Sequence, residues 1–215
     1  MFRDRRDAGE RLADALAGVR DTAGRSVTVL GIPRGGVVVA DAVAERLSAP
    51  LDVVIPRKVG APGNPELAIG AVAPGVRVLD ERMLRALGVP ESYLDREVAR
   101  AEKEIERRER RYRVGLPPLD LNARAAIVVD DGVATGSTAV AALRWARARG
   151  AVAVVLAVPV APAVSVRQLA RDADEVVILE TPDLFHAVGQ WYAHFGQVSD
   201  EEVVRILGRR SSVPS

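Results

Sequence analysis

Runs of consecutive apolar residues alternate with helix-like stretches along most of the chain. These runs lack polar–apolar alternation, which is typical of strands buried on both faces of a parallel sheet. Apolar residues spaced three or four apart predict the helices between them. The predicted strands are 26–32, 51–56, 125–129, 151–158 and 175–179, and the predicted helices are 37–47, 138–149 and 164–171. This order predicts an α/β fold, with a mostly parallel sheet, helices on both faces and a Rossmann-like core.

The segment 57–122 interrupts this alternation. It begins with a Gly- and Pro-rich stretch whose two short apolar runs predict a hairpin-like pair of strands. Helices are predicted over 81–87 and 91–113, and the longer one has a narrow apolar stripe that a partner subunit could cover. The stripe is Leu94, Val98, Ala101 and Ile105, and the predicted i,i+4 ion pairs are Glu104–Arg108, Glu106–Arg110 and Glu109–Arg113. Because acids interleave with bases, we expect a solvated helix rather than a nucleic-acid-binding one.

The pattern predicts a single domain, 1–215, with a core of about 19–56 and 123–180. The segment 57–122 is an inserted lid and helical segment, and 181–215 forms a small C-terminal unit. In that unit aromatic residues cluster, and Ser199 with Glu202 predicts a capping box that opens a final helix.

Composition narrows the classes of function. The 215 residues are 48% apolar, and the formal net charge of +1 gives no global field that favours nucleic acid or an anionic membrane. The lack of cysteine excludes disulfides and thiolate chemistry, and two histidines are too few for a multi-histidine metal site. Oxygen ligands remain, and these suit Mg²⁺. The charged first residues and the lack of a long apolar run predict a cytoplasmic protein with no membrane partner.

The most informative stretch is "AIVVDDGVATGST", residues 126–138. Four apolar residues lead into Asp130 and Asp131, and a loop of small and hydroxyl residues opens a predicted helix. Helix N-termini present unpaired N–H groups that bind phosphate, and small residues let the backbone approach the anion. The two acids suit sugar hydroxyls or hydrated Mg²⁺. The stretch therefore predicts a sugar-phosphate site.

Other interpretations of this stretch are weaker. It lacks the Gly-Lys-Ser/Thr ending of a Walker A loop and the G-x-G-x-x-G spacing of a dinucleotide-binding loop. A plain strand–turn–helix with a solvated acid pair remains an alternative, although two acids seldom end a buried strand without a role.

The stretch resembles the phosphoribosyl pyrophosphate (PRPP) binding signature of type I phosphoribosyltransferases. Gly132 departs from that signature, because the family more often has a branched apolar residue there. The resemblance implies that the 5-phosphoribosyl group passes from PRPP to a nitrogen acceptor and that pyrophosphate is released. It implies that Asp130 and Asp131 are catalytic and bind the ribose hydroxyls, while the loop holds the 5-phosphate. The implied PRPP-binding residues are Asp130, Asp131, Gly132, Val133, Ala134, Thr135, Gly136, Ser137 and Thr138.

The resemblance also implies a pyrophosphate site and a cofactor. "GIPRGG", 31–36, resembles the family's pyrophosphate loop, and a basic pair after the second strand resembles another pyrophosphate contact. The implied residues are Pro33, Arg34, Gly35, Gly36, Arg57 and Lys58, with Lys58 also a candidate catalytic residue. Mg²⁺ is expected to bind mainly through PRPP and water, with Asp130 and Asp131 as candidate ligands. "GAPGNPEL" resembles a mobile lid, and Asn64 and Glu66 are its candidate functional residues.

Members of the family cover the acceptor with a variable hood, and Phe185 and Trp191 are the candidate stacking residues here. No acceptor motif of the purine, orotate or uracil enzymes is recognisable, which indicates an orphan subgroup. The expected partners are PRPP, a small-molecule acceptor and a second copy of the chain in a homodimer, with no nucleic acid. Two alternatives remain: a non-catalytic PRPP or nucleotide sensor on the same fold, and a sugar-phosphate hydrolase or lyase that uses the acid pair for Mg²⁺.

Overall fold

A computed structural model describes residues 1–19, 24–117 and 119–211. The strands are β1 (Val27–Gly31), β2 (Leu51–Val53), β3 (Arg57–Ala61), β4 (Asn64–Ala73), β5 (Val76–Leu79), β6 (Ala125–Val129), β7 (Ala153–Val160) and β8 (Glu175–Glu180). The helices are α1 (Arg5–Leu16), α2 (Gly35–Arg46), α3 (Glu81–Ala86), α4 (Glu91–Tyr112), α5 (Ser137–Ala148), α6 (Ala163–Leu169) and α7 (Asp200–Ser211). The end of the predicted C-terminal unit, 212–215, and the start of the predicted core, 20–23, lie outside the described residues.

The main sheet has the strand order β2-β1-β6-β7-β8, and its neighbouring strands pair in parallel. Every residue of β6 and β7 is buried, as their unbroken apolar sequences predict. This arrangement confirms the predicted fold class. The strand order reverses between β1 and β6, which are direct neighbours. In open α/β sheets the ligand crevice lies at the carboxyl ends of the strands at such a reversal.

The inserted segment forms a second, antiparallel sheet of order β3-β4-β5. The predicted pair of strands is therefore extended by a third. Helix α4 packs on this sheet, and its residues Val98, Ala101 and Ile105 are buried there within the chain. The expectation that this apolar stripe docks on a partner subunit is wrong, because the hairpin of β3 and β4 already covers it.

Ion pairs on α4 follow the predicted spacing only in part. Glu104–Arg108 and Glu106–Arg110 form, with closest N–O distances of 2.8 and 3.7 Å. The predicted partner of Glu109 instead reaches β2, where Arg113 Nη1 lies 2.6 Å from Asp52 Oδ2. Burial raises the pKa of Asp52, and the guanidinium of Arg113 opposes that rise. This ion pair ties the inserted segment to the main sheet.

The N-terminal residues pack on the main body of the protein. Helix α1 buries Ala8 and Leu12 and packs against α2, and Asp4 caps it by accepting the backbone N–H of Asp7 at 2.9 Å. Residues 2–5, which we name the N-terminal strap, run beside the segment 191–194: the N–H of Phe2 donates to the carbonyl of Trp191 at 2.7 Å. The strap and the C-terminal unit are therefore held together.

The C-terminal helix begins as predicted. The backbone N–H of Glu202 donates to Ser199 Oγ at 3.2 Å, the first half of the expected capping box. Across the described residues, no helix combines the length and apolar character that spanning a membrane would require.

Candidate functional site

An acid pair lies at the crevice between β1 and β6. Asp130 and Asp131 directly follow β6, and the backbone N–H of Asp131 donates to Asp130 Oδ1 at 2.8 Å. The guanidinium of Arg5 lies against the second acid, with Arg5 Nε 2.7 Å from Asp131 Oδ2. The hydroxyl of Tyr192 donates to the backbone carbonyl of Asp131 at 2.6 Å. The strap and the C-terminal unit thus both contact the acid pair.

The loop 132–138 connects the acid pair to α5. Gly136 precedes the helix with a φ of +87°, a left-handed conformation that disfavours side chains, and no side chain caps the helix there. Thr135 Oγ1 and Ser137 Oγ lie 3.2 Å apart, and Ser165 Oγ donates to the carbonyl of Ala134 at 2.8 Å. The first turn of α5 therefore presents uncapped N–H groups and hydroxyls to an anion.

The glycines after β1 pack directly on the acid pair. A Cβ built on Gly36 would lie 2.8 Å from Asp130 Cα and 2.8 Å from the carbonyl oxygen of Val129. A Cβ on Gly35 would overlap Asp131 Oδ2. The loop 31–36 and the acids are thus in van der Waals contact, which only glycine at these two positions permits. The Pro33–Arg34 peptide bond is cis.

The side chain of Arg34 extends from this loop toward α4 and α7. Its Nη1 lies 3.7 Å from Asp200 Oδ1, and the same carboxylate accepts the hydroxyl of Tyr112 at 2.6 Å and pairs with Arg111 at 3.1 Å. Arg34, Arg111 and Asp200 line a cavity of about 410 Å³. Arg34 is half exposed and has only this long ion pair among the described residues, so it remains able to contact an anion.

Arg57 and Lys58 line a larger cleft, of about 900 Å³, between the β3–β4 hairpin and α4. Lys58 Nζ pairs with Glu66 Oε2 at 2.7 Å, and Asn64 Oδ1 accepts the N–H of Glu66 at 3.2 Å. The predicted lid residues thus lie at the start of β4 in a formed hairpin. Burial and the charges of nearby arginines lower the pKa of Arg57. Cations that line the cleft are Arg57, Lys58, Arg100, Lys103 and Arg107, and its carboxylates are Glu66, Glu97 and Glu104.

Two aromatic residues contact the acid pair or its arginine: Tyr192 bonds to Asp131, and Phe195 lies against Arg5. The Arg5 guanidinium lies over the Phe195 ring, 3.8 Å from its centroid, and the Tyr192 and Phe195 ring centroids are 5.0 Å apart. Trp191 packs against the cluster of Phe2 and Tyr192, with an indole N–H that is buried and has no hydrogen-bond partner among the described residues.

Comparison with known proteins identifies the family. Residues 3–194 match the family model described as "Phosphoribosyl transferase domain". The chain belongs to the phosphoribosyl transferase family. This confirms the resemblance drawn from the sequence.

Relatives in this phosphoribosyl transferase family include proteins from two strains of Mycobacterium tuberculosis, CDC 1551 / Oshkosh and H37Rv. Each carries the name "Putative phosphoribosyl transferase" and is 50% identical to this chain over 210 residues. The matches cover 97% of this chain and 47% of each relative, so the chain spans about half the length of the curated relatives it matches.

Solved structures share the fold of this chain. The crystal structure of TT1426 from Thermus thermophilus is 49% identical, with a TM-score of 0.83 over 99% of this chain and 100% of that chain. The structure of the AQ2163 protein from Aquifex aeolicus, 12% identical, shares the fold with a TM-score of 0.50 over 81% and 73% of the two chains.

The candidate site combines residues that the sequence predicted with others that it did not. The acid pair, the loop 132–138 and the glycines of the loop 31–36 lie together at one crevice. Among the described residues, no hydrogen bond or ring contact joins Phe185 or Trp191 to the acids. Sequence reasoning missed Arg5 as a site residue, because it lies 126 positions from Asp131. Tyr192 and Phe195 were identifiable only as members of an aromatic cluster.

The departure at Gly132 has a structural reason. A Cβ at this position would lie 2.6 Å from Val188 Cγ1 and 3.0 Å from Val160 Cγ1. Val188 belongs to the 3₁₀ turn Val188–Trp191 of the C-terminal unit. Glycine therefore lets this unit approach the residue directly after the acid pair, and a branched side chain would push it away.

The acid pair could supply only some of the ligands that a Mg²⁺ ion needs. Among the described residues, no group of three or more His, Cys, Asp or Glu side chains could hold a metal. Asp130 Oδ1 and Asp131 Oδ2 already accept protein N–H donors. Mg²⁺ keeps several waters and commonly binds one or two carboxylates plus substrate phosphates. The carboxylates of Asp130 and Asp131 fit such a site, in which the substrate and water supply most ligands.

The buried position of Asp130 predicts an unusual pH dependence of stability. Burial and the Asp131 carboxylate raise the pKa of Asp130 well above its ordinary value of 3.8. The folded state then binds this proton more tightly than the unfolded state, so the contribution of Asp130 to stability is greatest below about pH 4 and falls as pH rises through the raised pKa. We expect Asp130→Asn to become more stable relative to wild type as pH increases. Urea unfolding at pH 4, 6 and 8 measures this, and a difference that is constant with pH would contradict it.

Proposed function

We propose that the protein uses PRPP to transfer a 5-phosphoribosyl group to a small nitrogen acceptor, a nucleobase or a related compound, with release of pyrophosphate. The observation that carries the proposal is the contact of Gly35 and Gly36 with Asp131 and Asp130. It supports a site in which a pyrophosphate loop and a ribose-binding acid pair are adjacent, as the two ends of PRPP require.

The 5-phosphate end would bind at the N-terminus of α5. Uncapped N–H groups of its first turn donate to the phosphate oxygens, and the dipole of the helix favours the negative charge. Hydroxyls of Thr135, Ser137 and Thr138 add further donors. The ribose then lies over Asp130 and Asp131, whose carboxylate oxygens accept hydrogen bonds from its two vicinal hydroxyls.

The pyrophosphate end would bind to the loop 31–36. During transfer the bond from C1 to the pyrophosphate oxygen breaks and its electron pair stays on that oxygen, while the lone pair of the acceptor nitrogen forms a bond to C1 and the proton of that nitrogen passes to solvent. Positive charge develops on the ribose, which the acid pair stabilises, and negative charge develops on the leaving group. Arg34, Arg57 and Lys58 are the cations proposed to stabilise it. Bound Mg²⁺ would neutralise further charge on the pyrophosphate.

The acceptor would lie beneath the C-terminal unit, which acts as the hood. Within the hood, Tyr192 contacts Asp131 and Phe195 contacts Arg5. Phe185 and Trp191, elsewhere in the hood, remain the candidates for stacking on the acceptor. The hairpin that carries Asn64 and Glu66 is the candidate lid over the pyrophosphate.

A screen for pyrophosphate release tests the proposed reaction. The protein is incubated with PRPP, Mg²⁺ and a panel of purines, pyrimidines and other small amines. We expect pyrophosphate release in equal amount to the acceptor consumed, for at least one acceptor, and none when Mg²⁺ is chelated. PRPP binding without release by any acceptor would contradict transfer and favour the sensor alternative. Turnover of a phosphosugar without PRPP would favour the hydrolase or lyase.

A further inference from the structure

Arg5 makes three contacts that converge on the acid pair and the hood. Its Nε lies 2.7 Å from Asp131 Oδ2, its Nη1 donates to the carbonyl of Gly196 at 2.7 Å, and its guanidinium lies over the Phe195 ring. Only 11% of its side chain is exposed, compared with 52% for the adjacent Arg6. Such a buried, hydrogen-bonded arginine differs from a solvated surface residue.

The backbone around Arg5 is fixed on both sides. Before it, the strap pairs with the hood: the N–H of Ala193 donates to the carbonyl of Phe2 at 2.8 Å, and that of His194 donates to the carbonyl of Arg3 at 2.9 Å. Arg5 itself is the first residue of α1, and Asp4 directly before it caps the helix. These contacts fix the backbone of Arg5, so its guanidinium can leave Asp131 only by rotation of its own side chain, which would also break its contacts with Gly196 and Phe195.

Arg5 also lies beside the loop 31–36. A Cβ on Gly35 would be 2.8 Å from Arg5 Nε. The guanidinium thus lies where the pyrophosphate loop, the acid pair and the hood meet. The positive charge of Arg5 lies next to the carboxylates of Asp130 and Asp131. These two carboxylates repel each other, and burial disfavours the charged form of each.

In each of the two acids, the two carboxylate oxygens differ in their contacts with the protein. Asp131 Oδ2 accepts Arg5, and Asp130 Oδ1 accepts the backbone N–H of Asp131. Among the described residues, no protein N–H donor is bonded to the other oxygen of either acid. One oxygen of each acid thus accepts a protein N–H donor and the other accepts none, a pattern that suits two vicinal hydroxyls of a ligand.

We propose that Arg5 is a positioning residue of the PRPP site, which orients Asp131 for a ribose hydroxyl and ties the acid pair to the hood. This inference rests on the proposed function. Arg5 acts through Asp131, since its guanidinium is held by Asp131, Gly196 and Phe195. Loss of its charge leaves Asp131 free to rotate and leaves the two acids unscreened.

Arg5→Ala and Arg5→Lys, with Arg6→Ala as the matched control, test the inference. Binding of PRPP with Mg²⁺ is measured by titration calorimetry. We expect Arg5→Ala to weaken binding about 10- to 100-fold, the range for loss of a charged hydrogen bond. Arg5→Lys should retain part of the affinity, and Arg6→Ala should bind as wild type does. Hydrogen exchange of 192–196 should be faster in Arg5→Ala alone.

Chemical rescue separates positioning by charge from packing. Methylguanidinium added to Arg5→Ala should restore PRPP affinity, whereas N-methylurea, which is neutral and similar in shape, should not. Binding by Arg5→Ala equal to or tighter than wild type overturns the inference, as does equal rescue by both compounds. If wild type itself fails to bind PRPP, the proposed function fails and the inference fails with it. If wild type binds PRPP and Arg5→Ala binds it equally well, the inference about Arg5 fails and the proposed function stands.

Discussion

Asp130→Asn/Asp131→Asn is expected to bind PRPP about 1,000-fold more weakly than wild type, because two charge-assisted hydrogen bonds of about 1.5–3 kcal/mol each are lost. Asparagine keeps the shape of the side chain, so the main sheet and the loop 132–138 should be retained. Titration calorimetry with Mg²⁺ measures the affinity, and circular dichroism verifies the fold.

The matched control is Asp14→Asn/Asp95→Asn, which makes the same charge change on exposed acids of α1 and α4. Its PRPP affinity should equal that of wild type. Equal affinity in the Asp130→Asn/Asp131→Asn variant would show that these two acids do not bind the ribose. The contact between the two loops would then no longer support a PRPP site.

Gly36→Ala is expected to reduce PRPP affinity at least about 100-fold and to destabilise the fold by about 1–3 kcal/mol, the range for forcing extra atoms into a packed region. The added Cβ would meet Asp130 Cα and the carbonyl of Val129 at 2.8 Å. Both are backbone atoms, so no rotamer change can relieve the contact. The loop 31–36 must therefore move away from the acid pair.

Gly208→Ala is the control for this substitution. Gly208 lies within α7, and a Cβ there would meet nothing within 4 Å. Alanine should stabilise this helix by about 0.5–1 kcal/mol and leave PRPP binding unchanged. Urea unfolding and calorimetry measure the two effects for each variant. Normal affinity in Gly36→Ala would show that close approach of the two loops is not required for binding.

The local parts of the fold and site were predictable from sequence. β6, the loop and α5 form one continuous strand–turn–helix, so the apolar run, the acid pair and Gly136 follow one another along the chain. Such a unit is determined by residues that are adjacent in the sequence, so its pattern can be recognised directly. The parallel sheet was predictable for a similar reason, because burial on both faces leaves an unbroken apolar run.

Contacts between distant segments were not predictable. Arg5 and Asp131 meet where the strap pairs with the C-terminal unit and α1 packs on α2, and no pattern within α1 marks Arg5 as different from Arg6. The same limit explains the incorrect pair of Glu109 with Arg113. Helical spacing permits that pair, but a buried Asp52 on another strand needs a cation more strongly than a solvated helix face does.

The aromatic cluster shows a further limit. Sequence placed Trp191, Tyr192 and Phe195 together without showing which faces the acids. The backbone of 191–194 pairs with the strap, and this pairing directs Tyr192 toward Asp131 while Trp191 packs at the side. The choice between them depends on strand geometry, which a single sequence does not specify.

The cleft between the β3–β4 hairpin and α4 has a practical consequence for labelling. The chain has only two lysines, Lys58 and Lys103, and both line this cleft. Amine-reactive dyes, cross-linkers and immobilisation chemistries would therefore modify the candidate lid region and little else apart from an amino terminus. The same selectivity makes a lysine-attached fluorophore a reporter of hairpin movement, while thiol tags can be introduced elsewhere without competition because the chain has no cysteine.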